Sequence, residues 1–194
     1  MSTRSGNLAK AHRLLAPRIA YLVGSRALDG HPNLIPVSNV TSLSTDPQLV
    51  VIAVFKAWQT HDNLQHGAGF TLSVPTIDQR DGVWKLGARY SRYEYPDRRT
   101  KLRSCGLSLT EEPDLFGPIL RDGLGWLSCR IVARPEVGGD HGVFVGEIMH
   151  VEFNPDHFTD DGTPSGELHP LMQVTGNRFT TTGETATIPY GPSP

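Results

Sequence analysis

Three stretches of the chain carry side chains suited to holding a polar ligand. The first is Lys56-Ala57-Trp58-Gln59-Thr60-His61-Asp62-Asn63, which follows an apolar run and opens a short helical pattern. A helix N-terminus offers unpaired N–H groups and partial positive charge, so a phosphate could rest there with Lys56 and the Thr60 hydroxyl adding donors. Thr60 acting only as a helix cap explains the same residues. The second is Pro36-Val37-Ser38-Asn39-Val40-Thr41-Ser42, dense in small polar side chains between apolar neighbours. A flat heteroaromatic ring edge needs donors and acceptors in a row, and an edge strand carrying Ser38, Asn39 and Thr41 supplies them; a solvated strand face is the plainer reading. The third runs from Arg89 to Arg103, where Arg89, Arg92, Arg98, Arg99, Lys101 and Arg103 interleave with Tyr90, Tyr93 and Tyr95. Such residues suit phosphate contacts and ring stacking, in a nucleic acid or a dinucleotide, or simply a solvated loop with snorkelling side chains.

Charge narrows the partners. The chain has 18 Lys+Arg against 20 Asp+Glu, and Glu94 and Asp97 dilute the basic stretch. No global field draws the molecule to nucleic acid or to an anionic membrane, so any anion site is local. The sequence has no P-loop, GxGxxG, HExxH or GxSxG motif. Its eight histidines are scattered. His61 and His66 are the nearest pair to a metal spacing, five apart on a short helix, and no metal site is expected. Cys105 and Cys129 form no CxxC pair and read as buried structural thiols of a reducing compartment. Met1 to Arg18 lacks the apolar segment of a secretory signal, and the Leu49 to Phe55 run is too short to span a bilayer, so a cytoplasmic location is expected.

The elements that must position these residues are mostly strands. Ile19 to Ser25 reads as a buried strand, and Leu28-Asp29-Gly30-His31 as the hairpin turn into a second strand, Asn33 to Ser44, which Pro36 confines to an edge or bulge. Leu49 to Phe55 has the continuous apolar character of a strand buried on both faces. Thr60 caps a helix through Leu64 with Gly67 as its left-handed terminator, and Gly69 to Val74 is the next strand. Pro75 to Arg103 is irregular and part-helical. Leu107 to Thr110, Gly125 to Ala133 and Gly142 to Phe153 resume β character, the last two joined as a hairpin through Gly138-Gly139-Asp140. Asn154 to Glu167 is a loop. Many short strands with few helices predict an all-β barrel or sandwich with minor α content.

In this order the segments resemble the flavin reductase-like, FMN-binding split-barrel family. Pro17 to Val23 resembles that family's opening strand, and Asn33 to Ser38 and Ser44 to Val50 continue the likeness. Lys56 to Leu64 is similar to its phosphate-binding turn and helix. Gly139-Asp140-His141 followed by Val143 to Ile148 resembles its GDH turn and strand, and His169 to Met172 with Gly176 to Phe179 and Gly183-Glu184 its closing segment. The resemblance runs from about Leu14 to Glu184. It implies residues 1–13 as an N-terminal arm, 14–184 as the FMN-binding domain and 185–194 as a C-terminal tail.

The resemblance further implies a split β-barrel with short peripheral helices that binds FMN, with FAD as the alternative. NADH or NADPH would be the electron donor, and the activity that of an NAD(P)H:flavin reductase. A non-catalytic FMN-binding or electron-transfer module is the rival reading. Lys56, Thr60 and Asn63 would contact the FMN phosphate and ribityl chain, with Ser38, Asn39, Val40 and Thr41 along the isoalloxazine. Arg89 would border the pocket, and His141 would lie by the ring face, as proton donor or as wall. A homodimer is implied, and a monooxygenase is a conceivable partner. Where many relatives have a Ser-rich turn and an Asp-Lys pair, this chain has Arg89 to Tyr93 and Arg98-Arg99-Thr100-Lys101.

Overall fold

Runs of alternating apolar and polar residues, separated by turns rich in Gly and Pro, form the strands seen in a computed structural model of the chain. The structure describes residues 5–87, 92–186 and 188. After a 3-10 helix at Leu8–Leu15 come β1 (Arg18–Ile19), β2 (Tyr21–Arg26), β3 (Pro32–Val37), β4 (Val40–Thr45) and β5 (Gln48–Phe55). Helix α1 (Gln59–His66) and β6 (Gly69–Val74) follow, then a 3-10 turn at Ile77–Gln79 leading into α2 (Arg80–Leu86), and α3 (Arg98–Ser104). The chain continues through β7 (Leu109–Thr110), β8 (Ile119–Leu120), β9 (Gly125–Ala133), β10 (His141–Phe153), β11 (Met172–Thr175) and β12 (Arg178–Thr180).

Seven strands form an antiparallel sheet in the order β3-β2-β6-β9-β10-β5-β4. Its two edge strands are neighbours in sequence, joined only by Ser38 and Asn39. A two-residue link spans roughly 10 Å at most, so the sheet must curl until its edges nearly meet. This is the expected split barrel with helices at the periphery, its edges adjacent and without a ladder between them. Gly30 takes the left-handed conformation (φ 78°) in the β2–β3 hairpin turn, and Gly139 (φ 76°) does so ahead of β10.

The break at Ser38-Asn39 corrects the expectation of one strand from Asn33 to Ser44. Val37 still pairs with Tyr21 of β2, whereas Val40 pairs with Ile52 of β5, and the Asn39 carbonyl accepts the Ala53 N–H at 2.9 Å. The chain changes sheet edge there, and the local alternation carries no mark of it.

Two clusters make the core. Val23, Val37, Ile52, Leu64, Phe70 and Phe144 fill the barrel, with α1 closing one end through Leu64. Leu22, Leu34, Val83, Leu86, Leu102 and Leu171 form a second layer where α2 and α3 cover the outer face of β2 and β3. Strand β2, contributing Leu22 outward and Val23 inward, is therefore buried on both faces, as is β6. Strand β5, expected to be so, alternates instead: Val50, Ile52 and Val54 are buried and the residues between them are only half-buried. Cys105 and Cys129 are free and buried; burial pushes the Cys129 thiol up to about 12. No helix among the described residues is long and apolar enough to cross a membrane.

Candidate functional site

A cavity of about 600 Å³ opens beside edge strand β3, between the start of α1, the helices α2 and α3, and β11. That is the size of a small-molecule or cofactor site. Trp58, Trp84 and Phe179 wall it, the last two edge to face at 6.0 Å.

One end of the cavity is cationic. Asp97 caps α3, its carboxylate accepting the Thr100 N–H at 2.8 Å and the Thr100 hydroxyl at 2.7 Å. Those hydrogen bonds hold the Asp97 carboxyl below the usual range. With the cap in place, Arg98 and Lys101 stand three residues apart on one helix face and both line the cavity. The Lys101 ammonium is buried and donates to the Leu34 carbonyl at 3.1 Å and to Asn33 Oδ1 at 3.4 Å. Burial, then the nearby Arg98 guanidinium, lowers its pKa to about 8. Arg98 donates to Gln59 Oε1 at 3.0 Å, but its Nη1 is buried without a hydrogen-bond partner among the described residues.

Asn33 ties this end to α1. Its amide donates to the buried Thr60 hydroxyl at 2.7 Å. Thr60 is thus not the cap that the sequence predicts: the residue before the helix is Trp58, which makes no side-chain cap, and Thr60 turns inward to a partner 27 residues away. Gly67 also differs from expectation, being extended (φ −79°) with its N–H donating to the Asn63 carbonyl at 2.7 Å.

Toward Ser38 and Asn39 the lining changes. Arg18 Nη1 donates to Asn39 Oδ1 at 2.9 Å, while Arg18 Nε is buried and unpartnered among the described residues. The Ser38 hydroxyl lies 3.4 Å from Gln173 Oε1. His141 also faces the cavity, its Nδ1 2.7 Å from Asp140 Oδ1 and its ring edge to face with Phe55 at 5.5 Å. An ionised carboxylate only accepts, so Nδ1 carries the proton. The same hydrogen bond holds the Asp140 carboxyl below its ordinary range.

The fold thus brings Ser38, Asn39, Thr60 and His141 to one cavity. Val40 packs against the barrel core, Thr41 is exposed on the opposite sheet edge, and Lys56 donates to the Gly139 carbonyl at 2.9 Å. Asn63 is buried behind the helix, donating to the Ser25 hydroxyl at 3.0 Å. Arg89 lies outside the described residues. Arg18 and Asn33 are cavity residues that sequence reasoning did not single out, and it named Arg98 and Lys101 only among the six basic residues of one stretch. The Asp97-x-x-Thr100 cap, which fixes which basic residues of the segment turn inward, is the local signal that could have found the last two.

The sequence matches the family described as flavin reductase like domain over residues 13–181. The chain belongs to that family. An uncharacterized protein of Archaeoglobus fulgidus is 33% identical over 168 residues, covering 86% of this chain and 89% of its own length. The NADH-dependent FMN reductase AsuE2 of Streptomyces nodosus subsp. asukaensis is 27% identical over 114 residues, 59% of this chain and 57% of that protein. Nitrilotriacetate monooxygenase component B from Bacillus cereus has a similar fold, with a TM-score of 0.80 at 16% identity over 97% of this chain and 100% of the other. The chain is thus a flavin reductase-like split barrel, and its cavity beside β3 has the size a cofactor site would need. The buried, unpartnered Nη1 of Arg98 is what an anionic, hydrogen-bonding cofactor would satisfy at the cationic end.

Proposed function

We propose that this protein is an NAD(P)H:flavin reductase that binds FMN in the cavity beside β3. The observation that carries the reading is the cationic end. Lys101, Arg98 and the Thr60 hydroxyl converge there, and among the described lining residues there is no Asp or Glu to neutralise them. A phosphate at that end gains charge-assisted hydrogen bonds from groups already held in place, Lys101 by Leu34 and Arg98 by Gln59. Asn33 orients both sides of it, accepting from Lys101 and donating to Thr60.

The indole walls of Trp58 and Trp84 offer flat apolar surface for a ring system, and Ser38 and Asn39 offer polar atoms to its edge. Bound flavin would supply the redox chemistry, accepting a hydride from a reduced nicotinamide. His141, with its Nδ1 proton held by Asp140, keeps Nε2 free to accept a hydrogen bond or, when protonated, to give one at the cavity wall. The name of the FMN reductase relative supports FMN and NADH as ligands, and that of the component B structure is in keeping with a monooxygenase as partner. A homodimer completes the reading. It is supported by the exposed Leu8 and Leu14 of the N-terminal helix and Met149, Val151 and Phe153 along β10.

Titration of the protein with FMN, followed by quenching of flavin fluorescence, tests the site. Saturable binding is expected, weakened about 10- to 100-fold in Lys101→Met, the value of one charge-assisted hydrogen bond. Unchanged affinity in that variant would remove the phosphate from this end of the cavity.

A further inference from the structure

The cavity holds more positive charge than one flavin phosphate neutralises. Arg13, Arg18, Arg98 and Lys101 all line it, and no carboxylate does among the described residues. A phosphate monoester brings only about −2 at neutral pH. The cations also fall at two separate places along β3. Lys101 sits at Asn33, and Arg18 at Asn39 just past the strand's other end. Extended β3 already separates Asn33 from Val37 by about 13 Å, and Asn39 lies two residues further on, so one phosphate does not reach both points. Among the described residues Arg18 makes no ion pair: its Nη1 donates to the neutral Asn39 amide oxygen, and its Nε is buried with no partner. A buried donor left without an acceptor is costly, and a ligand oxygen would satisfy it. His12 and Arg13, on a 3-10 helix that buries none of its own residues, lean on the same cavity.

We propose that the Arg18 end of the cavity is a second anion subsite, which grips a phosphate or carboxylate group carried by the flavin's redox partner. The assignment rests on the flavin reading above. A nicotinamide dinucleotide brings such a group in its pyrophosphate, and an acidic acceptor in its carboxylates. In either case Arg18, with Arg13 and His12 beside it, selects charged partners over neutral ones.

Calorimetric titration with inorganic pyrophosphate, and separately with citrate, tests the subsite. FMN-loaded protein is expected to bind one anion saturably, and Arg18→Gln to weaken it at least about tenfold while FMN affinity stays within about twofold. Arg13→Gln should produce a smaller loss, and it serves as the second variant if Arg18→Gln fails to fold. Preference for pyrophosphate assigns the subsite to the donor's phosphates, and preference for citrate assigns it to an acidic acceptor; both uphold it. If the protein takes up no FMN, the flavin reading fails by itself and the FMN-free protein decides the subsite. It should then bind two pyrophosphates, one lost in Arg18→Gln and the other in Lys101→Met. A single pyrophosphate site indifferent to Arg18, or loss of FMN and anion together in Arg18→Gln, overturns the proposal.

Discussion

The Lys101 ammonium donates to the backbone carbonyl of Leu34 at 3.1 Å, so a buried amine from α3 is anchored on the edge strand of the barrel with no carboxylate among the described residues of the cavity lining. A cation so placed is costly to hold alone and is stabilised by an incoming anion. That arrangement is the ground for the proposed phosphate at this end of the cavity.

The lowered pKa of Lys101, about 8, sets a pH dependence. Below it the amine is charged and FMN affinity should be level; as pH rises through about 8 the cation is lost and affinity falls, by up to about tenfold per unit until the Lys101 share is gone. Lys101→Arg should remove the fall, since a guanidinium stays charged. Stability of the FMN-free protein runs the other way. The folded pKa lies below the unfolded value, so the unfolded chain binds more protons above pH 8, and stability should climb between about 8 and 10.5. FMN titrations and urea denaturation across pH 6.5 to about 10 check both signs.

Thr60→Val keeps the shape of the side chain and removes its oxygen. The Asn33 amide, 2.7 Å from that oxygen, is then buried without its acceptor. A loss of about 1–3 kcal/mol in unfolding free energy is expected, together with weaker FMN binding, because Asn33 also faces Lys101. Denaturant midpoints and FMN titration on the same variant measure the two effects.

Replacement of His141 by Gln should separate binding from turnover. The imidazole sits at the wall, held by Asp140 and Phe55, and among the described residues no hydrogen bond joins it to Lys101 or Arg98 to share in holding a phosphate, so its role is read as separate from theirs. FMN affinity is expected to change less than about twofold, while kcat/KM for the nicotinamide donor drops about tenfold, the worth of one hydrogen bond near 1.4 kcal/mol. Equal loss in both would place His141 in the flavin site itself.

Phe144 is fully buried in the barrel, and Leu28 is 84% exposed in the hairpin turn. Phe144→Ala should cost about 3–5 kcal/mol of unfolding free energy, and Leu28→Ala no more than about 0.5. Equilibrium urea unfolding compares them directly.

Strands, turns and the barrel class were legible because period-two alternation and turn residues are local. Gly30 and the Gly138-Gly139-Asp140 turn sit where their types demand, and β9 and β10 pair as the hairpin expected of them. The cavity was legible only in part. Ser38 and Asn39 stand out as small polar residues, but the reason they reach it is that the chain crosses between sheet edges there, which no local pattern encodes. Thr60 reads as a cap until Asn33, 27 residues away, claims its hydroxyl. Of the basic residues after Arg92, Arg98 and Lys101 turn to the cavity while Arg99 and Arg103 face a separate surface recess, a division made by the docking of α3 on β3.

Anaerobic titration of the FMN-loaded protein with NADH and with NADPH, followed in the visible absorption bands, tests the central claim most directly. The account predicts bound-flavin bands that bleach stoichiometrically with one or both donors, the preferred one showing at the lower concentration. Bands that persist through excess of both donors would contradict a reductase and leave a flavin-binding or electron-transfer module, and absence of bound flavin would contradict the site as well.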